Sequence, residues 1–471
     1  MAQINTRKAT GPGTIKNIQI FSNTEPKKSV YLTDLIIDKF TYYESLFQDV
    51  IHASVTYIDS GGTIKAKGGG QLTTAVAGLP ITGSEKVNLL FEDPNEEEIE
   101  VTLYVNNVTE IVTDSTKSMV TLSMNSLELF NNDKVRLNRR FDGKISDHIE
   151  KILKGGKGES GDSLETKKEV DIEKTVGEYN KAFTNKKPFY MMNYFSTRAV
   201  PEGGQGNSAG FLLWETSEGF HFKSIDKLFG QKEKKSIIFN ETPGNPPPGY
   251  DIKALTFDKQ NRNDIKSKLE QGTYATRIIT FDPFTLNYEV SYLNAGNKKQ
   301  SGPKQKGNED TLNKGGEELP KLSGDIKSAK GGQNDFSRTT FQLLDTGSIP
   351  QGKTKSGVDQ SDDRTGGNEQ VEKKEDKNAK PGETLNQSIM RLNQMNTMKI
   401  SMTLPGDFTL HAGDAVKVDS PQLSAARQSR KRQKVDDQTG GLYIIRDLCH
   451  YMTKDVTYTK VNVVRDSFGK K

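Results

Sequence analysis

Apolar residues that recur at every second position constrain this chain more than any other feature. In residues 52–57, Ala53, Val55 and Tyr57 alternate with His52, Ser54 and Thr56. Side chains of a strand point alternately to its two faces, so this pattern predicts a strand with one buried and one wet face. Residues 29–40 alternate less strictly, through Val30, Leu32, Leu35, Ile37 and Phe40. Further strands are expected at 86–92, 99–112 and 118–123. Turn signals such as Asp59-Ser60-Gly61-Gly62 and Asp93-Pro94-Asn95 separate them. Short strands at that spacing predict an antiparallel barrel or sandwich. The pattern returns near the other end, at 398–404, 414–418, 441–451 and 457–465.

Between these stretches the period changes. Ile145, Ile149, Ile152 and Leu153 stand at helical intervals, and Gly155-Gly156 stops the run. An apolar run at 189–195, strands at 211–215 and 220–222 and a helix at 223–229 complete an α+β insert. After the Pro-rich linker 242–249 come a strand at 250–258, a helix near 263–271 and strands at 274–281 and 286–293. Residues 298–316 and 352–382 are rich in Gly, Lys, Asp, Asn and Gln and lose periodicity, the mark of long polar loops. A helix at 384–393 closes them. The chain therefore reads as mainly β with an α+β insert. Its expected divisions are a flexible arm (1–14), a first β-barrel (15–130), the insert (131–235), the first part of a second barrel (236–297), an insertion of polar loops with a helix (298–395) and the rest of that barrel (396–471).

Composition narrows the function. Hydrophobic residues make up 32% of 471, and adding the 43 glycines still falls short of the roughly 45–50% apolar share of ordinary globular chains. Some segments stay out of any core, or partner subunits cover their surfaces. The net charge is only +4, from 66 basic and 62 acidic residues, which argues against a dedicated nucleic-acid binder. The single cysteine, Cys449, excludes a disulfide within the chain. Residues 1–13 have no apolar core of a signal peptide, and no run approaches the roughly 18 apolar residues of a membrane helix. A product without membrane anchor or secretory signal, made in a cytoplasm, is expected.

The residues that carry chemistry elsewhere form no site here. His52, His148, His221, His411 and His450 show no ligand spacing, so no metal site is assigned. Cys449 and His450 are neighbours in an expected strand and point to opposite faces, which rules them out as a nucleophile pair. Gly68-Gly69-Gly70 and Gly203-Gly204-Gln205-Gly206 lack the Lys-Ser or Lys-Thr and the helix start of a phosphate loop. Arg427, Arg430, Lys431, Arg432 and Lys434 read as a solvated loop or as a basic loop facing a lumen or a neighbour. Glu92, Asp93, Glu96, Glu97 and Glu98 form a hydrophilic turn. Trp214 is a core or interface anchor. No catalytic residue and no cofactor is assigned, and the chain is not expected to be an enzyme.

Several stretches, in order, resemble a known family. Asp38 to Phe47, with its acidic-Ser-aromatic element Glu44-Ser45-Leu46-Phe47, resembles the opening of the baseplate hub proteins of contractile-tailed bacteriophages. Leu79 to Glu85 continues it. Ala209 to Thr216 and Gly219 to Asp226 resemble the insert of those hubs. Leu410-His411-Ala412-Gly413-Asp414 resembles the Gly-Asp turn of tail-tube and hub barrels, and Gly441 to Asp447 with Tyr458 to Ser467 resembles the last two strands. The hub module is shared with type VI secretion spike proteins, but no fused spike follows here.

The resemblance implies two antiparallel β-barrel domains of tail-tube type. It implies a virion structural protein, assembled in the host cytoplasm into the tail baseplate. It also implies a homotrimer whose six barrels form a pseudo-sixfold ring. Such a ring joins the sixfold tail tube to the threefold central spike and lets DNA pass in transit during genome ejection. Expected partners are the central spike protein, tail-tube or tube-initiator proteins and surrounding baseplate wedge proteins. Glu44, Ser45, Phe47, Trp214, Arg446 and Tyr458 are the candidate interface residues. The rival readings are a tail-associated cell-wall hydrolase, which needs a carboxyl group of raised pKa in a cleft, and a nucleic-acid-binding tail component.

Overall fold

Alternating burial organises two β units. In the strand His52–Asp59 every second side chain, from Ala53 to Asp59, is buried. The strand Lys86–Glu92 repeats the pattern with Val87, Leu89 and Phe91. In this computed structural model the described residues are 11–25, 28–62, 64–65, 72–112, 117–155, 162–203, 208–240, 245–261, 264–283, 286–294, 323, 325–326, 336–344, 381–422 and 435–469.

The first unit is an antiparallel row in the order Thr14–Phe21, Lys86–Glu92, Glu98–Val112, Ser118–Asn125, His52–Asp59 and Ile36–Ser45. A 3-10 turn, Leu32–Asp34, joins the last of these to Ser29–Tyr31, which pairs with Thr14–Phe21. The row therefore starts and ends on one bent run of chain. Its inward side chains form a single core in which Phe40 and Phe91 meet edge to face at 4.8 Å. Of the expected arm, residues 1–10 lie outside the described residues. Gly11 and Gly13 are held: the Gly11 carbonyl accepts the Thr457 amide at 3.1 Å, and the Gly13 amide donates to Thr457 Oγ1 at 2.6 Å.

The second unit uses the same device. Its row runs Lys235–Phe239, Ala415–Asp419, Gly441–Met452, Thr457–Arg465, Met398–Pro405 and Thr256–Asn261. Ile252–Ala254, one residue upstream of Thr256, pairs with Lys235–Phe239. A bent run thus again serves both ends. The departure from antiparallel pairing is Lys235–Phe239, which is parallel to both neighbours because the chain returns over a loop to reach each of them. Tyr443, Ile445, Val461 and Val463 are buried in this core, while Arg446, Lys460 and Asn462 point away from it, the facing that the alternation predicts.

One strand belongs to both units. Gly441–Ile444 pairs with the second unit's Ala415–Val418, and Asp447–Met452 pairs on the same edge with the first unit's Phe40–Ser45. A bulge at Arg446 marks the change of partner, and the Arg446 carbonyl accepts the Leu46 amide at 2.9 Å. The result is a 14-stranded sheet.

The α+β insert has its own core. The helices Ile145–Lys154 and Pro188–Ser196 pack with the hairpin Phe211–Thr216 and Gly219–Ser224, and Phe141, Phe183 and Phe195 meet edge to face. His148, on an apolar face, is a buried core residue whose Nε2 lies 2.9 Å from the Tyr179 carbonyl oxygen. No helix among the described residues is long and apolar enough to cross a membrane.

Residues 274–293 correct an expectation. Ala275–Phe281 and Tyr288–Asn294 are strands, yet they do not belong to the second unit. With Arg338–Leu343 they form a separate three-stranded sheet that packs on the helix Pro381–Met395. Alternation shows that a strand has one buried face but not which layer buries it. The basic cluster at 427–434, most of the loops of 298–380 and residues 157–161 lie outside the described residues.

Candidate assembly interface

The six candidate interface residues divide into two groups. Glu44 and Trp214 are buried within the chain, as is Ser45 beside the seam, which corrects their assignment to a partner surface. Glu44 lies in the first unit, at a junction where that unit meets the insert and the second unit. Its Oε1 accepts from the Tyr42 hydroxyl at 2.8 Å and the Ser217 amide at 3.0 Å, and its Oε2 accepts the Ala412 amide at 3.0 Å. His411 Nδ1 stands 3.3 Å from Oε1. Burial alone would push this carboxyl up, but His411 and the two amides outweigh it and hold Glu44 below the ordinary carboxylate value. Burial likewise disfavours an imidazolium at His411, and the Glu44 charge reverses that and raises it.

Trp214 closes the same junction. Its indole N–H donates to the Ala412 carbonyl at 3.0 Å, and its ring lies against Gly413. Gly413 has φ +94°, and a Cβ there would stand 2.7 Å from the indole. The Gly-Asp turn is therefore a seat for Trp214, and only glycine meets both the backbone angle and the close approach. Sequence reasoning quoted Leu410 to Asp414 as a turn but found no link to Glu44 or Trp214, because no local signal joins residues so distant in the chain.

A second buried device was not legible. Arg391, from Pro381–Met395, donates Nε to Asp226 Oδ1 and Nη1 to Asp466 Oδ2, each at 2.9 Å. It ties the insert's helix Ile225–Phe229 and the residue after Thr457–Arg465 to one side chain. Burial opposes its charge, and the two carboxylates outweigh that and raise its affinity for the proton.

The second group sits along the seam where the units join. Ser45 donates to Asp447 Oδ1 at 2.6 Å, and Asp447 also takes Arg446 Nε at 2.8 Å. The Arg446 guanidinium lies 5.7 Å from the centroid of Phe47, which is exposed. Farther along, Tyr458 stacks beside Tyr451 at 6.5 Å, with the Lys460 ammonium 5.0 Å from the Tyr451 centroid. The structure thus brings Ser45, Phe47 and Arg446 together at one end of the seam and leaves Tyr458 at the other. Cys449 and His450 point to opposite faces: burial pushes the thiol up, and deep burial pushes the imidazole down to about 3.

One cleft of about 270 Å³ bears on the hydrolase reading. Glu100, Thr102, Lys168, Glu215 and Glu218 are among its lining residues. Burial pushes the Glu215 carboxyl up, against the nearby Lys168. Both its oxygens are engaged, Oε1 by the Lys168 ammonium and Oε2 by the Ile51 amide at 3.0 Å. That is the bonding of a structural ion pair, with Glu128 as the second carboxylate on Lys168. Among the described residues no group of three or more His, Cys, Asp and Glu is placed to hold a metal ion.

No protein-family model matches the chain, and no curated protein matches it. Solved structures do. The tail protein from Neisseria meningitidis MC58 superposes with a TM-score of 0.50 at 8% identity, covering 96% of each chain. The 43 kDa tail protein of prophage MuSo2 from Shewanella oneidensis gives 0.48 at 10% identity, over 96% of this chain and 99% of that one. The prophage tail protein gp18 from Listeria monocytogenes EGD-e gives 0.45 at 9% identity, over 96% and 95%. The first of these likenesses shows the fold: a mainly β chain with the architecture of that tail protein.

Proposed function

We propose that this chain is a structural component of a contractile phage tail, the hub of its baseplate. The observation that carries the reading is the pair of β units in one chain, each a row of six runs closed on a bent run and both joined by the seam strand Gly441–Met452. Three copies supply six β units. A ring of six units on a threefold axis is the adaptor needed between a sixfold tail tube and a threefold central spike. The fold shared with a tail protein supports the same placement in a tail. In this reading the chain meets a spike protein on one side and tail-tube or tube-initiator proteins on the other. Baseplate wedge proteins surround it, and DNA touches it only in transit.

Light scattering of the purified chain, alone and with its spike and tube neighbours, tests this. The expected mass is three times that of the chain, at least with the spike bound. A chain that stays monomeric with both neighbours present defeats the hub. Incubation with purified peptidoglycan tests the hydrolase reading, and no release of soluble fragments is expected.

A further inference from the structure

Two surfaces of opposite charge stand apart from the cores and the junction. The first lies on the insert. Leu137 and Lys186 exchange backbone hydrogen bonds, and Arg140–Phe141 pairs with Lys181–Ala182. Residues 136–141 and 181–187 therefore form one antiparallel ribbon. Leu137, Phe141 and Phe183 turn into the insert's core, while Arg136, Lys186 and Lys187 are exposed. The helix Pro188–Ser196 continues this surface. Its Tyr190 and Tyr194 are four residues apart, on one face, and each ring carries cations. The Lys186 ammonium lies 5.1 Å from the Tyr190 centroid. The Lys181 ammonium and the Arg198 guanidinium lie 5.8 Å and 3.6 Å from that of Tyr194. Tyr190 is 54% exposed, and Asp133 offsets one charge through its ion pair with Lys187. A stripe of cations set on aromatic rings fits an anionic protein segment. The rings supply contact area, and the cations supply charge-assisted hydrogen bonds.

The second surface is the turn that the sequence marks as hydrophilic. Asp93 is buried, and its Oδ1 accepts the Asn95 amide at 2.7 Å and the Glu97 amide at 3.0 Å. These bonds fix the turn and leave Glu96, Glu97 and Glu98 exposed. Glu96 has φ +70°, an angle that glycine or asparagine adopts at less cost. Lys16 offsets part of the charge through Glu92 and Glu98.

Within one chain the two surfaces stand apart. The turn closes one end of the first unit, where Asn95 donates to the Gly406 carbonyl and Asp93 accepts the Phe408 amide. The ribbon follows the helix Leu127–Lys134 at the other end, where Tyr104 meets Phe130. From Glu98 to Tyr104 the strand between them rises about 20 Å. We propose that the Glu96–Glu98 turn of one copy seats on the Lys186, Tyr190 and Tyr194 stripe of the next. The signs match, and a turn already fixed loses little freedom on binding. Because the two surfaces are unlike, the contact is head-to-tail, the kind that closes into a ring when the rotation between copies permits. Its closure at three copies rests on the hub reading above.

The test mixes the chain with an isotopically heavy copy and adds a zero-length carbodiimide, which joins an ammonium to a carboxylate in contact with it. Light–heavy links from Lys186 or Lys187 to Glu96, Glu97 or Glu98 are expected. Lys186→Glu with Lys187→Glu should weaken association in sedimentation by about tenfold or more, through like-charge repulsion. Adding Glu96→Lys with Glu97→Lys to the same chain should restore it. All four side chains are exposed, so thermal unfolding should stay within a few degrees of the original. If the reversed pair does not fold, the neutral Lys186→Gln must weaken association several-fold. Absence of the light–heavy links overturns the proposal, as does a reversed pair that associates like the original. A quadruple variant that stays as weak as the reversed pair also overturns it. So does a stripe that duplex DNA protects from modification and a second copy does not. An assembly with these links but other than three copies keeps the contact and sinks the hub, whereas a trimer without them keeps the hub and sinks the contact.

Discussion

The two β units have the same closure and different histories along the chain. The first is drawn from one continuous stretch, Thr14 to Asn125, and every pairing within it is antiparallel. The second is gathered from 235–261 and 398–465 and contains a strand parallel to both neighbours. Closing a longer loop costs more conformational entropy, though slowly with length, and long-range pairings form later in folding. The second unit offsets this with contacts that the first does not need. Arg391 bridges Asp226 and Asp466, and Trp214 seats on Gly413. The first unit's buried carboxylates Asp59 and Glu85 bond to amides nearby in the chain, whereas Arg391 reaches across it.

The largest expected effect erases this contrast. Ile445→Asp places an unpaired carboxylate in the second core, on the strand that both units share. A buried unpaired charge costs a large part of the roughly 5–15 kcal/mol that holds a domain. Loss of soluble protein is expected, and normal yield with native circular dichroism would show that the strand is not central.

Arg391→Met should separate the units. Removing one member of a buried ion cluster costs about 3–5 kcal/mol. Hydrogen exchange should accelerate in 398–405 and 415–419 before it does in 86–125. Equal acceleration in both would mean that the fastener serves the whole molecule.

The Glu44–His411 pair gives the comparison a pH dependence. Glu44 titrates lower in the folded chain, so its contribution is present above its unfolded value of about 4.5 and is lost as pH falls through the lower folded value. His411 titrates higher, so its contribution is complete below about 6.5 and is lost as pH rises through the raised value. The pair therefore stabilises the junction most between those two values. Glu44→Gln should flatten the thermal-stability profile across that window and lower it by about 1–3 kcal/mol at its maximum. An unchanged profile would remove the pair from the junction's stability.

The smallest expected effect on folding is that of Arg446→Asp. Its ion pair with Asp447 is partly exposed, and such pairs contribute about 0–1 kcal/mol. The melting temperature should move by a few degrees at most. In the proposed hub, the charge reversal beside Phe47 should weaken assembly into trimers or tails, which sedimentation would detect.

What could be read in advance follows the same division. The strands of the first unit and the hairpin Gly441–Met452 to Thr457–Arg465 were legible because each declares its faces within a few residues. The strands at 275–281 and 288–294 were legible as strands but not as members of a side sheet, since their partner Arg338–Leu343 and their helix lie beyond long polar stretches. Glu44 reads in sequence as part of an acidic-Ser-aromatic element and as a candidate interface residue. Nothing near it in sequence shows that His411 and Ala412, more than three hundred positions later, accept it into the interior. Arg446 faces outward as the alternation from Tyr443 and Ile445 predicts, and Phe47 lies beside it just past the end of the strand Ile36–Ser45.

That bulge lets one strand leave the second unit and enter the first without a linker. Six residue pairs, from Asp447–Ser45 to Met452–Phe40, then bind the units backbone to backbone. A hinge of flexible chain would allow the units to turn independently. Here any sliding of one against the other along the seam strains a whole ladder of hydrogen bonds at once, in shear, where they resist together instead of opening one by one. Under mechanical load the pair behaves as a single beam.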